Sequence, residues 1–244
     1  MDVLVIIPTY NERENLPVLV HQILAETPYR VLVVDDDSPD GTGRVADALA
    51  GEHPGRVEVL HRTGRRGLGL SYLDGFRRAL AGDADLVCQM DADLSHDPRY
   101  LPDLVHAALE GHDVVIGSRY LNGISVVNWP LRRIILSVFA NWYVRTVTGL
   151  TARDGTSGYR CWRRQALARL ELRRIVSQRY AFIVETVFEA ARAGCRIGEV
   201  PIIFVERRQG ASKMSARVLL ESMVMPWRLL LRARGRLGWR SAKP

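Results

Sequence analysis

The residues best suited to chemistry in this chain are two carboxylates two positions apart, Asp91 and Asp93, directly behind the apolar run Leu86-Val87-Cys88. Side chains two apart on a strand share a face, so at its frayed end both acids can turn toward one point. Two hard oxygen ligands held together suit Mg²⁺ or Mn²⁺, and such ions usually reach an enzyme site bound to phosphate. Asp-x-Asp alone is also common in solvated loops; position and company distinguish this pair. Three other polar segments follow apolar runs in the same way: Pro8-Thr9-Tyr10, Asp35-Asp36-Asp37 and Gly117-Ser118-Arg119. The stretch 8–12 enters a helix whose N–H groups could take an anion or could simply be capped. An acid behind the second strand typically accepts hydrogen bonds from a ribose or base, although Ser38-Pro39-Asp40-Gly41 is equally turn-forming. Gly64, Gly67 and Gly69 follow the third strand with the wrong spacing for a dinucleotide fingerprint, which argues against NAD.

The elements that must position these residues can be read from periodicity. Short continuous apolar runs at 3–7, 31–34, 57–60, 86–90 and 114–116 predict five strands. Helical patterns occupy 41–50, 72–80 and 98–110 between them. Asn11, with Glu14 three residues on, has the form of a capping box for an earlier helix. Strands that alternate with helices and are apolar throughout predict an α/β domain, its mostly parallel sheet flanked by helices on both faces. Ligands of such sheets sit outside the carboxyl ends of the strands, so the four strand-end segments should converge on one rim. The second half is more helical, with patterns at 131–147, 182–193 and 212–231; 195–205 reads as strand, turn, strand through Pro201.

Composition narrows the class. The 244 residues are 47% hydrophobic and 25% charged, enough for one domain with a sizeable core. Three dispersed cysteines argue a reduced compartment without structural zinc. The opening MDVLVIIPTYNE reads as a strand rather than a signal peptide. No apolar run reaches the roughly 18 residues of a transmembrane helix. The net charge of +7 is concentrated: 206–244 carries ten Lys and Arg against two acids. Such a tail suits a polyanion, either nucleic acid or an anionic membrane surface. Its arginines alternate with Leu, Met and Trp and no nucleic-acid-binding motif accompanies them, which favours the membrane.

Taken together, PTYNE, VVDDDSPDGT and MDADLSHDP resemble the inverting nucleotide-sugar glycosyltransferases of GT-A, family-two type. GSRY (117–120), NWPLRRIILS (128–137), DGTSGYR (154–160) and GEVPIIFVERRQGASK (198–213) narrow the resemblance to the polyprenol (dolichol) phosphate mannose synthases. It runs from about residue 3 to residue 225. It implies a GT-A catalytic domain over 1–211 and a basic amphipathic segment over 212–244, continuous with that domain or membrane-associating. It also implies that Pro8, Tyr10, Glu12, Val34 and Asp36 hold the guanosine of GDP-mannose. Asp91, Ala92 and Asp93 would meet ribose, metal and pyrophosphate, with Mg²⁺ or Mn²⁺ on the two acids. Arg119, Arg207 and Lys213 would meet donor phosphates or the reacting centre, and Asp93, Arg119 and Lys213 would carry catalysis. Arg119, Arg133 and Ser137 would meet the acceptor phosphate of a polyprenyl monophosphate. Ser95 stands where some relatives carry an amide, which puts a third protein ligand to the metal in doubt.

The residues support parts of this independently. Arg133 and Ser137 are four apart on a predicted helix and could clamp one phosphate. Lys213 is one of only two lysines among 34 basic residues, a compact ammonium in a chain that otherwise uses arginine. A lipid monophosphate is anionic already, so the reaction would need positioning and charge neutralisation rather than a general base. Asp154 would orient the sugar or an arginine. In the last helical pattern Lys213, Arg217, Glu221, Arg228 and Arg232 fall within about 100° of one another, and apolar residues fill the remainder. Pro226 should bend or break that helix, giving two shorter pieces. With Trp227 and Trp239 it suits a membrane interface, as does 131–147 with Trp129, Phe139, Trp142 and Tyr143. The expected setting is therefore peripheral, at the cytoplasmic side of a membrane, with room for a separate anchoring protein. The nearest alternative is the same fold using UDP-glucose or another donor.

Overall fold

Val3–Thr9 (β1) is buried at every position, and Arg30–Asp35 (β2) at all but its first. Strands without a polar face must be covered on both sides, and here they are. The computed structural model describes residues 1–175, 177, 180–206 and 216–234. Its main sheet has seven strands in the order β3-β2-β1-β4-β7-β5-β8. The others are Val57–His61 (β3), Leu86–Gln89 (β4), Val114–Ser118 (β5), Arg160–Arg163 (β7) and Ile197–Pro201 (β8). All neighbours pair in parallel except β7, which runs antiparallel between β4 and β5. A second small sheet pairs Val126–Val127 (β6) with Phe204–Val205 (β9).

One face of the sheet packs on Asn15–Glu26 (α1), Thr42–Glu52 (α2) and Leu101–Leu109 (α4), with Leu16, Leu19, Ile23 and Leu104 in the cluster. The other packs on Leu68–Ala81 (α3), Arg164–Arg169 (α6) and Tyr180–Arg192 (α7), around Tyr72, Phe76, Trp162 and Phe182. Gly75 lets α3 approach the sheet: a Cβ there would lie 2.7 Å from Ile6 Cγ2. Leu131–Thr148 (α5) and Ala216–Arg234 (α8) pack with α7 in a third cluster. The three cysteines are buried free thiols, Cys88 and Cys161 being partners across β4 and β7.

Two expectations are corrected. The capping box does not form: Asn11 takes a left-handed conformation (φ 62°), and α1 starts later, behind Glu14, without a side-chain cap. Pro226 lies inside one continuous α8. The apolar residues described on α8 divide between two settings. Met225, Leu229 and Ala233 turn inward against α5 and α7, while Met223, Trp227 and Leu231 stay exposed. Among the described residues no helix is long and apolar enough to cross a membrane.

Candidate active site

The carboxyl ends of β1, β2, β4 and β5 bring the four strand-end segments to one rim. The loops behind β1 and β2 are stitched together there. The N–H of Asn11 donates to Ser38 Oγ (3.1 Å), that of Glu12 to Thr42 Oγ1 (3.0 Å) and that of Arg13 to Asp40 Oδ2 (3.2 Å). Of the two readings of this stretch, an anion site or capped N–H groups, the second is the one seen: these N–H groups have protein acceptors. Asp36 is buried and held by Arg62 and by the N–H of Gly67 (2.6 Å), so the glycine-rich turn behind β3 serves this acid. Tyr10 is exposed, with the Arg66 guanidinium 5.1 Å from its ring centroid and Arg66 also bound to Asp37. Pro8 and Val34 are register partners in the β1–β2 ladder. Val34 lies fully in the core, so its side chain builds the sheet rather than the ligand surface. Glu12 accepts from Asn15 Nδ2 (2.8 Å).

The acidic motif leaves β4 in a fixed shape. The Tyr72 hydroxyl, from α3, donates to Asp91 Oδ1 (3.1 Å). Burial and the adjacent carboxylate push the Tyr72 phenol well up, so it stays a donor. The Asp91 N–H donates to His96 Nδ1 (3.2 Å), and the buried imidazole stacks on Tyr159 (4.8 Å). Burial lowers the His96 pKa, consistent with a neutral ring that accepts at Nδ1. Gly158 closes the other side: a Cβ there would lie 3.5 Å from Asp91 Oδ2. Asp93 Oδ1 accepts from the N–H (3.2 Å) and hydroxyl of Ser95, and Ala92 between the acids is buried. Among the described residues no His, Cys, Asp or Glu joins Asp91 and Asp93 as a third donor within 4.8 Å. Two carboxylates at a strand end fit a hard dication that fills its other positions with phosphate oxygens and water.

Arg119, behind β5, is buried and bound bidentately by Asp154, Nε to Oδ2 and Nη2 to Oδ1, both 2.7 Å. Asp154 is fully enclosed and also accepts from the Arg119 N–H (3.0 Å). Burial alone would raise the Asp154 carboxyl; the Arg119 charge and hydrogen bonds outweigh it and hold the group below the ordinary carboxylate range. Thr156 and Asn141 extend the network, Asn141 Nδ2 donating to Thr156 Oγ1 (3.0 Å). The expectation that Asp154 orients an arginine holds.

Trp129 lies between two of the arginines, 3.9 Å from Arg133 Cζ and 5.6 Å from Arg119 Cζ, centroid to carbon. Its ring thus packs against both guanidinium groups, and its Nε1 is buried without a partner. Arg133 is ion-paired with Glu206, and Ser137 accepts from the Tyr120 hydroxyl (2.7 Å). The two residues expected to clamp one phosphate thus each have a protein partner. Arg207 and Lys213 lie outside the described residues. Arg160, fully buried at the start of β7, donates to Ile183 O, Thr186 and Gly155 O; burial brings its pKa down to about 9. Sequence reasoning missed Tyr72, His96 and Arg160, whose roles arise only when distant segments meet.

A cavity of about 390 Å³ lies elsewhere, lined by Arg169, Arg174, Glu185, Glu189, Arg192 and Arg232 among others. Three of its four arginines pair with glutamates, Arg174–Glu171, Arg192–Glu189 and Arg232–Glu185, which leaves Arg169 as the excess charge of its lining.

Residues 4–171, spanning β1 to α6, match the family model for glycosyl transferase family 2. The chain belongs to that family. Its relatives include the polyprenol monophosphomannose synthase of Mycolicibacterium smegmatis, 47% identical over 238 residues covering 95% of this chain and 90% of that protein. The undecaprenyl-phosphate mannosyltransferase of Micrococcus luteus is 48% identical over 235 residues, 96% of each chain. Among solved structures, glucosyl-3-phosphoglycerate synthase of Mycobacterium tuberculosis, in complex with Mn²⁺, UDP and glucosyl-3-phosphoglycerate, superimposes with a TM-score of 0.67. At 19% identity, covering 97% of this chain and 81% of that one, it establishes a shared fold. The α/β glycosyltransferase architecture read from the sequence is thus the one observed.

Proposed function

We propose that this chain transfers mannose from GDP-mannose to a polyprenyl monophosphate, giving polyprenyl phosphate mannose and GDP with inversion at the anomeric carbon. The observation that carries the proposal is the near-complete coverage, at 47–48% identity, of two relatives whose names pair mannose with a polyprenyl phosphate. The site is chemically suited to it. Asp91 and Asp93 would hold Mg²⁺ or Mn²⁺, which when bound stabilises the leaving diphosphate as a Lewis acid; a structural neighbour binds Mn²⁺ with UDP.

The chain's own residues do the rest. Tyr72, His96 and Gly158 fix Asp91, while Tyr10, Glu12 and Asp36 line the donor side with Arg66 over Tyr10. Asp154 locks Arg119 in a bidentate grip, so that cation is preorganised when two anionic substrates meet. Arg133 would exchange Glu206 for the acceptor phosphate, with Ser137, Arg207 and Lys213 completing the polar lining. An acceptor phosphate oxygen then attacks the anomeric carbon in line with the departing GDP. The attacking oxygen carries no proton to remove, and none of these residues is needed as a base.

Access to a lipid comes from α5 and α8. Leu131, Ile135, Phe139 and Trp142 are exposed at helical spacing along α5, and Met223, Trp227 and Leu231 along α8. The Tyr143 hydroxyl donates to Met223 O (2.7 Å) and accepts from Trp227 Nε1 (2.8 Å), joining the two helices. These apolar stripes would rest in an anionic membrane surface on the cytoplasmic side, an attraction that the net positive charge of 206–244 favours.

The test is transfer of radiolabelled mannose from GDP-mannose into an organic-extractable product, with and without polyprenyl phosphate, divalent metal and EDTA. Label that requires both acceptor and metal is expected, and Asp91→Ala should abolish it. Label from UDP-glucose but not from GDP-mannose would replace the donor and keep the reaction class. No transfer from any nucleotide sugar would refute the proposal.

A further inference from the structure

Away from the rim, three metal-ligating side chains converge on the outer face of the helices. His21 lies on α1; Glu52 is the last residue of α2, and His53 follows it as the C-cap. One donor atom from each lies within 4.8 Å of the others. The two imidazoles meet edge to face, centroids 5.7 Å apart at 78°. Among the described residues none of the three side chains has a hydrogen bond or ion pair. His53 Nε2 is closed off from solvent with no partner at all, and a buried ring nitrogen left unsatisfied calls for a ligand.

We propose that His21, Glu52 and His53 form a binding site for a transition-metal dication of the Zn²⁺ class. Two imidazoles and a carboxylate are ligands for Zn²⁺, Ni²⁺ or Cu²⁺ rather than for the hard ions that suit Asp91 and Asp93. The place is electrostatically favourable. The C-terminal end of α2 carries the negative pole of its macrodipole, and a cation there is stabilised. His53 has left the helical conformation (φ −125°, ψ 62°), which takes its ring out of the 100° spacing that would separate it from Glu52. Metal–ligand bonds of about 2.0–2.1 Å put neighbouring donors of a tetrahedral ion about 3.3 Å apart. Donors within 4.8 Å of one another can reach that spacing by rotation of the exposed His21 and Glu52 side chains. Three protein ligands leave at least one position to water, so the ion is exchangeable. It would tie α1 to the end of α2, on the side where the chain enters β3, and so apart from the transfer chemistry.

The experiment is calorimetric titration of the untagged full chain with Zn²⁺, in excess Mg²⁺ to occupy the acidic motif. A parallel Co²⁺ titration is read by visible absorption, which reports nitrogen ligation. One equivalent of Zn²⁺ is expected to bind, with a nitrogen-ligated Co²⁺ spectrum that persists in Asp91→Ala. His21→Gln and Glu52→Gln, both at exposed positions and each checked for native circular dichroism, should weaken binding by at least about tenfold. Absence of Zn²⁺ binding would overturn the proposal, as would wild-type affinity in both variants.

Discussion

Asp154→Asn is the substitution that most directly tests how the site is built. Asp154 is fully buried and accepts three hydrogen bonds from Arg119, at 2.7, 2.7 and 3.0 Å. Asparagine keeps the shape, removes the charge and turns one acceptor into a donor facing a guanidinium. Removing one partner of a buried ion pair costs about 3–5 kcal/mol, because the other charge remains buried and uncompensated. For a chain of this size each kcal/mol moves Tm by about 2–4 °C, so the variant should melt roughly 6–20 °C lower. Arg119 would lose its fixed orientation, and loss of one preorganised cation costs roughly 10²–10³ in rate. The assay pairs thermal melts at neutral and acid pH with the mannose-transfer measurement. The pH arm has a definite sign. Because Arg119 holds the Asp154 pKa below its unfolded value of 3.8, the stabilisation is complete above that value. It is lost as pH falls through the lower, folded value. Wild type and variant should therefore differ fully at neutral pH and converge in strong acid. A variant that melts with wild type and keeps its turnover would refute the view that this pair organises the site.

Tyr72→Phe keeps the stacking on Phe182 (5.9 Å) and deletes the donation to Asp91. A hydrogen bond to a charged group is worth about 1.5–3 kcal/mol, so turnover should fall about tenfold or more and the metal requirement should rise; an unchanged metal titration would count against the role. Glu206→Gln releases Arg133 from an ion pair whose side chains are 21% and 26% exposed; taken at about 1 kcal/mol, its loss should lower the acceptor KM by a few-fold, read from acceptor titrations. Gly75→Ala forces a methyl to within 2.7 Å of Ile6; urea unfolding should show a loss of about 1–3 kcal/mol with an unchanged slope. Met223→Ser with Leu231→Ser removes exposed apolar surface from α8 and leaves the Tyr143 hydrogen bonds in place; binding to anionic liposomes should fall while the melting curve stays in place.

The parallel core was legible because its strands are apolar throughout. Runs predicted at 3–7, 31–34, 57–60, 86–90 and 114–116 appear as Val3–Thr9, Arg30–Asp35, Val57–His61, Leu86–Gln89 and Val114–Ser118. Convergence of their carboxyl ends followed from topology alone. The antiparallel strand Arg160–Arg163 was not legible: four residues, two of them arginines, carry no strand periodicity, and only pairing on both sides makes them one. The helix start at Asn11 failed for a related reason. A local capping box competes with acceptors from the next loop, and Ser38, Asp40 and Thr42 win because the β1–β2 ladder holds them close. The position of Asp91 at the end of a buried strand was readable from the apolar run before it. Its partners, Tyr72 and His96 among them, come from elsewhere in the chain.

The single reversed strand also sets the order in which this molecule can be made. β4 ends at Gln89 and β5 at Ser118, yet they are joined only through β7, which begins at Arg160. Until that segment emerges during synthesis, β4 presents an open edge and β5 has no neighbour on that side. Unpaired, apolar edges of this kind are templates for association with other chains. The first four strands can collapse early as a unit, but the nascent chain remains adhesive until some seventy residues beyond β4 have been added. Chains truncated short of Arg160 should therefore collect as aggregates rather than as a smaller soluble domain.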